Sequence, residues 1–130
     1  MNENTRVLVN CRMEQAFSAL ASAKTLFDKG LLRDSINRSY YAAFYAVLAL
    51  LCMHGLGTSK HSGAIALFDR EFVKQGVFSK SLSVFLHKAF DMRQEADYAE
   101  TVTVDEQDAR DAISGASDFV QQIQHRIAGD

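Results

Sequence analysis

Apolar residues recur at every third or fourth position along most of the chain, and glycines interrupt this pattern at a few points. That spacing is typical of helices that bury one face, and glycine often follows the last residue of a helix. There is no proline, and no segment alternates convincingly as a strand does. The pattern predicts one domain over residues 1–130, an all-α, up-down antiparallel bundle of four to five helices. The predicted helices span about 5–29, 32–54, 61–74, 80–98 and 104–127.

The second predicted helix is apolar on nearly all of its surface, which sets it apart from the others. Its stripe of Ile36, Tyr40, Phe44 and Leu51 is joined by further apolar residues on the other faces. A helix of this kind is buried on all sides, so we expect it at the centre of the bundle or against a second copy of the chain. The apolar run 40–53 has 14 residues, fewer than the roughly 20 that a membrane span needs.

Residues that favour helix ends lie next to the predicted boundaries. Gly30 is expected to take the left-handed conformation after the first helix. Serine and threonine side chains accept hydrogen bonds from the free N–H groups of a first helical turn. The candidate caps are Thr58, Ser59 and Ser62 for the third helix, Ser79 for the fourth, and Thr103 with Glu106 as a capping box for the fifth.

The charge balance limits the kinds of partner that the chain can bind. With 14 basic and 16 acidic residues the net charge is −2, so there is no global positive field. We therefore do not expect non-specific binding to duplex nucleic acid. A local basic patch is compatible with this balance, and its candidate members are Lys60, His61, Arg33 and Arg38.

The two cysteines and the N-terminal residues bear on the cellular compartment. Cys11 and Cys52 lie within apolar helical patterns, so we expect both to be free, buried thiols. The polar segment 1–6 does not resemble a signal peptide. We expect a cytoplasmic protein that is not inserted in a membrane.

Charged residues interrupt the apolar stripe of the fourth predicted helix near its end. The stripe that includes Leu86 and Phe90 continues onto Arg93 and Asp97. Charged groups on a buried face must be paired or must line a cleft, because their desolvation is costly. Two explanations stay open. One is an Arg93–Asp97 ion pair at i, i+4; the other is a site in which Arg93 binds a phosphate and Tyr98 adds a hydroxyl.

Polar residues on the second and third helices are further candidates. Asn37, Arg38 and Tyr41 lie on one side of the second helix, where a solvated helix start is favoured over a cleft. For His61, a neutral histidine packed at a helix N-terminus is favoured over a catalytic base. The chain has no CxxC, HExxH or paired Glu-x-x-His motif and no Gly-rich phosphate loop. We therefore expect neither a metal nor another cofactor.

Three segments together resemble those of the HEPN-domain family. Residues 37–44 read NRSYYAAF, residues 60–63 read KHSG, and residues 90–98 read FDMRQEADY. The sequence is most similar to a small prokaryotic branch of that family, which has an S-Y-Y-A helix and an R-x-x-A-D-Y helix. The resemblance extends from about Arg6 to Ile127.

This resemblance implies a bundle of four to five helices that dimerises, often through the faces that carry the motifs. Many HEPN proteins are metal-independent ribonucleases or toxins, and a minimal nucleotidyltransferase frequently partners them as the antitoxin. Their active motif is an arginine followed four to six residues later by a histidine. The arginine steadies the phosphate and the histidine moves a proton. In this chain the motif corresponds to Arg93, with Tyr98 in the place of the histidine.

The tyrosine leaves open whether the chain is an enzyme, because a phenol with a pKa of about 10 is a poor base at neutral pH. The first hypothesis is a homodimeric nucleotide- or RNA-binding component of a toxin–antitoxin-like module. The alternatives are an active endoribonuclease in which Tyr98 or His61 replaces the histidine, and a purely structural dimerisation module. The candidate catalytic residues are Arg93, Asp97 and Tyr98, and the candidate nucleotide- or RNA-binding residues are Asn37, Arg38, Tyr41 and His61.

Overall fold

Five α-helices form the described part of the chain, as the apolar spacing predicts. A computed structural model describes residues 1–58, 60–98 and 103–129, with the backbone alone for 95–98. These ranges contain no strand, so the predicted all-α bundle is confirmed. The helices are α1 (Glu3–Asp28), α2 (Leu32–Met53), α3 (His61–Phe68), α4 (Lys80–Tyr98) and α5 (Glu106–Gly129).

Helix α2 is the central element, because it contacts each of the four other α-helices. At its start the Ser35 hydroxyl donates to the Ala23 carbonyl near the end of α1 (2.8 Å), as expected for antiparallel neighbours. By length and composition α2 could also cross a membrane, but most of that stretch is buried inside the bundle. The apolar surface of α2 is therefore largely covered by the helices of its own chain.

The predicted apolar stripes form the core. Alanines are prominent on α1 and α2, where they allow the helix backbones to approach closely. At the other side of α2 the core is aromatic, with the Phe68 ring 5.5 Å from that of Phe119 and 5.8 Å from that of Phe78. Burial of these apolar side chains supplies most of the favourable free energy of folding.

Three helical segments end in the same way, each with a glycine in the left-handed conformation. The φ angles of Gly30, Gly55 and Gly76 are +76°, +71° and +79°. At the end of α1 the N–H of Leu31 donates to the carbonyl of Leu26 (2.9 Å). This hydrogen bond defines a Schellman motif, which satisfies carbonyls that the helix leaves free. The predicted conformation of Gly30 is confirmed.

The third helix does not continue as one α-helix over 61–74. Its α-helical part ends at Phe68 and is followed by a π-helical segment, Asp69–Val73. In that segment the N–H of Lys74 reaches the carbonyl five residues earlier, that of Asp69 (2.9 Å). The side chain of Asp69 accepts hydrogen bonds from Ser83 (2.7 Å) and His87 (2.6 Å) of α4, so the segment is tied to its neighbour.

The predicted caps of α3 do not occupy the cap position. Lys60 lies there, and it has no side-chain capping bond. The Thr58 hydroxyl instead accepts from the N–H of Lys60 (3.3 Å), because it lies two residues before the cap position. Ser62 is already inside the helix, and Ser59 lies outside the described residues.

The predicted capping box of α5 is shifted by two residues. Asp105 accepts from the N–H of Asp108 (2.8 Å), and Asp108 accepts from the N–H of Asp105 (3.3 Å). The prediction of Thr103 with Glu106 is therefore wrong. Both pairs have the three-residue spacing of a capping box, so spacing alone does not distinguish them.

The burial predicted for Cys11 is also wrong. Both cysteines are free, but Cys11 is exposed and Cys52 is partly buried. Cys11 lies two positions from Val9 and from Met13, both of which are buried. Two positions correspond to about 200° around a helix, so the thiol points away from the face that these neighbours bury.

Candidate functional site

The Arg93 side chain of α4 reaches α2 and contacts two tyrosines. Its Nη2 donates to the Tyr41 hydroxyl (3.3 Å). Its Cζ lies 5.5 Å from the ring centroid of Tyr41 and 5.9 Å from that of Tyr40. A guanidinium at such distances is attracted by aromatic rings. These contacts place the partly buried Arg93 at the boundary between the core and the surface.

Arg38 contacts the same Tyr41 ring from within α2. Its Cζ lies 4.7 Å from the ring centroid, and its Nη2 donates to Asn37 Oδ1 (3.0 Å). All three side chains are partly buried, so a solvated helix start does not describe them. The i, i+3 spacing brings Arg38 onto Tyr41, while Arg93 arrives from α4. Two positive charges are thus concentrated around one ring.

His61, the first residue of α3, packs against the aromatic face of α2. Its Nδ1 lies 2.9 Å from the Tyr40 hydroxyl, and its ring stacks on Phe44 with a centroid distance of 4.0 Å and an angle of 16°. Burial lowers the pKa of His61, and the positive charge of Arg93 lowers it further. The structure confirms a histidine packed at a helix N-terminus, and the direction of the pKa shift agrees with the predicted neutral ring.

Tyr40 completes this arrangement from the core side. Its side chain is fully buried, and burial raises the pKa of its hydroxyl, against a smaller opposing effect of Arg93. The hydroxyl therefore stays protonated at physiological pH. A buried tyrosine needs a partner for its O–H, and His61 provides one. We refer to Tyr40, Tyr41, Phe44, His61 and Arg93 as the Arg93 cluster.

An open groove lies on the surface beside the Arg93 cluster. At neutral pH it contains two cationic side chains, and several of its other groups carry N–H or O–H donors. No carboxylate is among the described residues that line it. Such N–H and O–H groups can donate hydrogen bonds to an anion. The residues that line this Arg93 groove are Lys60, His61, Ser62, Phe90, Arg93 and Gln94.

The structure joins most of the site residues that the sequence predicts. Arg93 and Tyr41 are in direct contact, and Arg38 and Asn37 adjoin them. His61 shares both the cluster and the groove with Arg93. The side chains of Asp97 and Tyr98 lie outside the described residues, so an Arg93–Asp97 pair stays a prediction.

The sequence places Tyr40 and Phe44 on the core stripe of α2 and in a family motif, but it does not single them out as site residues. Both lie on the apolar stripe of α2, and their burial fits that interpretation. The signal that could have identified Tyr40 is its hydroxyl, since a tyrosine on a fully buried stripe requires a polar group nearby. Phe44 offers no such signal, because nothing in the sequence distinguishes a phenylalanine that stacks on a histidine from any other phenylalanine on an apolar stripe.

The fold is that of a small helical bundle, with Lys60 and Arg93 beside one surface groove. The family model of the HEPN domain matches residues 9–126. A UPF0332 protein of Thermotoga maritima is 41% identical over 127 residues, which cover 98% of this chain and 96% of the relative. A protein of Methanocaldococcus jannaschii named "Putative toxin MJ0605" is 34% identical over 127 residues, covering 98% and 94%. This chain belongs to the HEPN-domain family, as its three motifs predict.

Proposed function

We propose that this chain is a toxin-like HEPN protein whose Arg93 groove binds phosphate groups of RNA or of a nucleotide. The observation that carries the proposal is the presence of Arg93, Lys60 and His61 around one groove. A guanidinium matches a phosphate through parallel N–H donors. Phe90 lines the same groove, and aromatic rings are the usual stacking partners of unpaired bases.

The proposed setting is a toxin–antitoxin-like module in the cytoplasm. Two relatives from Methanocaldococcus jannaschii are named "Putative toxin MJ0605" and "Putative toxin MJ0142", and the second is 31% identical over 97 residues. The resemblance to HEPN proteins implies a minimal nucleotidyltransferase as the partner and a homodimer as the working form. Light scattering during size-exclusion chromatography tests the dimer, since we expect twice the 14.5 kDa mass of the chain. A strict monomer at working concentrations would contradict it.

A second candidate function is metal-independent cleavage of RNA, with His61 in the place of the family's histidine. The observation that favours it is the position of His61, which lines the same groove as Arg93. Its lowered pKa keeps the imidazole neutral near pH 7, and a neutral imidazole is the form that can accept a proton.

RNA binding tests the first proposal. We expect a labelled single-stranded RNA, followed by fluorescence anisotropy in EDTA, to bind Arg93→Ala about tenfold or more weakly, because a hydrogen-bonded charge contributes about 1.5–3 kcal/mol. The matched control is Arg6→Ala, which removes the same charge from an exposed arginine paired with Glu3 at 3.8 Å. Equal binding by Arg93→Ala and the unmodified protein would refute the proposal and favour a structural dimerisation module.

RNA cleavage tests the second candidate function. Mixed RNA is incubated in EDTA with the unmodified protein and with Arg93→Ala, His61→Ala and Tyr98→Phe, and the products are separated on a denaturing gel. Cleavage that His61→Ala abolishes and Tyr98→Phe retains supports His61 as the replacement. The absence of cleavage above the Arg93→Ala background refutes ribonuclease activity.

A further inference from the structure

We infer that Tyr40 is a positioning residue, which orients the neutral His61 ring so that its Nε2–H donates a hydrogen bond to the bound phosphate. This inference rests on the proposed phosphate-binding role of the Arg93 groove and assigns His61 a specific part in it. His61 is a donor to the ligand and does not take a proton from it.

The direction of the Tyr40–His61 hydrogen bond determines which nitrogen of the imidazole carries the proton. Tyr40 is fully buried, and its O–H lies 2.9 Å from His61 Nδ1. A phenol O–H is a good donor, and the lone pair of a neutral imidazole nitrogen is a good acceptor. When Tyr40 donates, Nδ1 carries no proton. The proton of the neutral ring must then be on Nε2.

The charges around His61 favour the neutral ring. Arg93 approaches from α4, and Lys60 precedes His61 in the chain and lines the same groove. No carboxylate is among the described residues that line the groove with them. Burial already disfavours a charged imidazole at this position, and the positive charge of Arg93 adds to that effect. The ring is thus held as a neutral donor.

Aromatic packing fixes the orientation of the imidazole. The ring stacks on Phe44 at 4.0 Å and lies nearly parallel to Tyr40, at 5.8 Å and 22°. The ring of Tyr41 meets it edge-on at 5.7 Å and 84°. A ring flip would break the Tyr40 hydrogen bond inside this packing. The Nδ1 edge is therefore committed to Tyr40, which leaves the Nε2 edge for a ligand in the groove.

This assignment has a consequence for the second candidate function. An imidazole with its proton on Nε2 cannot begin a cleavage reaction by accepting a proton at that atom. It can donate that proton to a leaving oxygen, as a general acid does. If the chain cleaves RNA, His61 acts as the acid, and another group removes the proton from the attacking hydroxyl.

Nuclear magnetic resonance of the imidazole nitrogens tests the inference directly. In the unmodified protein near pH 7.5 we expect His61 Nδ1 to have the ¹⁵N shift of an unprotonated nitrogen and Nε2 that of a protonated one. Tyr40→Phe keeps the ring but removes the hydroxyl, so the Nδ1 shift should move toward the value averaged over both tautomers. Tyr45→Phe, one helical turn beyond Tyr41, is the matched control and should leave the Nδ1 shift unchanged. A protonated Nδ1 in the unmodified protein would overturn the inference, whether or not Tyr40→Phe folds.

Substitutions of His61 test the donor role by a second measurement. The amide nitrogen of glutamine lies near the place of Nε2, whereas alanine offers no donor. We expect His61→Ala to bind single-stranded RNA about tenfold more weakly and His61→Gln to stay within about threefold of the unmodified protein, since a hydrogen bond to a charged group contributes about 1.5 kcal/mol or more. Equal losses in the two variants would overturn the donor role.

The two proposals fail in different ways. Arg93→Ala decides the proposed phosphate-binding function. If Arg93→Ala weakens RNA binding but His61→Gln binds as poorly as His61→Ala, the groove function stands and the inference about Tyr40 and His61 falls. If Arg93→Ala binds normally, the donor role falls with the groove function. The ¹⁵N shifts of His61 then still show whether the Tyr40 hydroxyl donates to Nδ1.

Discussion

Two buried serines on α2, one helical turn apart, differ in how their hydroxyls are paired. The Ser35 hydroxyl donates to the Ala23 carbonyl (2.8 Å). The Ser39 hydroxyl is also buried, and within the described part of the chain it has no hydrogen-bond partner. A buried hydrogen bond contributes net stability, whereas a buried polar group without a partner carries a desolvation cost. We therefore expect the same residue type to have opposite effects on stability at these two positions.

We predict that Ser35→Ala lowers the free energy of unfolding by about 1 kcal/mol and that Ser39→Ala leaves it unchanged or raises it. Each substitution removes one oxygen from the same helix, so the two variants serve as controls for each other. Chemical denaturation of both variants and of the unmodified protein measures the difference. A larger loss for Ser39→Ala would show that its hydroxyl bonds to a group outside the described residues or in a second copy.

At the residue scale, the sequence predicts Arg93, Tyr41 and His61 as site residues but not the contacts among them. Arg93 can be identified from the sequence because a charged side chain on an otherwise apolar stripe is costly to desolvate. Its contact with Tyr41 joins residues 52 positions apart, and the Tyr40–His61 contact joins residues 21 apart. Such pairs depend on how α2, α3 and α4 pack together, and no local spacing encodes that packing.

At the scale of the helix, the start of α5 gives a direct test of which capping box operates. Asp105 and Asp108 exchange two side-chain-to-backbone hydrogen bonds, while Thr103 lies before the helix and is exposed. We predict that Asp105→Ala lowers the free energy of unfolding by about 1 kcal/mol. Thr103→Ala is the control and should change it by less than about 0.5 kcal/mol. If denaturation experiments show a larger loss of stability for Thr103→Ala than for Asp105→Ala, the capping box is the one predicted from Thr103 and Glu106.

The contact between α4 and α5 depends on the absence of a side chain at Gly115. A Cβ at this position would overlap the ring of Phe85, which also packs 5.8 Å from Phe119. Alanine in a helix interior is otherwise favoured over glycine by about 1 kcal/mol. Whether Gly115→Ala stabilises or destabilises the protein therefore depends on whether the Phe85 ring can move.

We predict that Gly115→Ala destabilises the protein by about 1–2 kcal/mol, since overpacking commonly costs more than helix propensity returns. In a Phe85→Ala background the overlap is removed, and the same substitution should become stabilising by about 1 kcal/mol. Thermal or chemical unfolding of the four proteins completes this double-mutant cycle. A stabilising Gly115→Ala in the unmodified background would show that the Phe85 ring adjusts freely.

Helix interiors are more predictable from this sequence than helix ends. The stripe of α2 from Ile36 to Leu51 is buried as predicted, because a periodic burial signal is repeated over many residues. Caps depend on one or two side chains, and Thr103 and Asp105, two residues apart, both have an acidic residue three positions later. The π-helical segment Asp69–Val73 has no sequence pattern that distinguishes it from a continued α-helix.

Across the whole molecule, the net charge does not describe how positive side chains are grouped on the surface. The chain carries a net charge of −2, yet Lys60 and Arg93 face one groove where the described residues place no carboxylate. Overall composition argues against a broad basic surface, but it contains no information about this local grouping. Only the packing of α3 beside α4 brings the two cations together.

We therefore predict a weak dependence of RNA binding on salt. Each phosphate neutralised on a single strand contributes about −0.7 to the slope of log K against log salt, so two cations give a slope of about −1.4. Arg93→Ala should reduce that slope by about 0.7, whereas Arg6→Ala should leave it unchanged. Anisotropy titrations at several salt concentrations measure both, with duplex DNA as a ligand that we expect to bind poorly. A slope several times steeper would contradict binding at a single groove with two cations. If both the slope and the effect of Arg93→Ala are doubled, one RNA strand spans the two grooves of a homodimer.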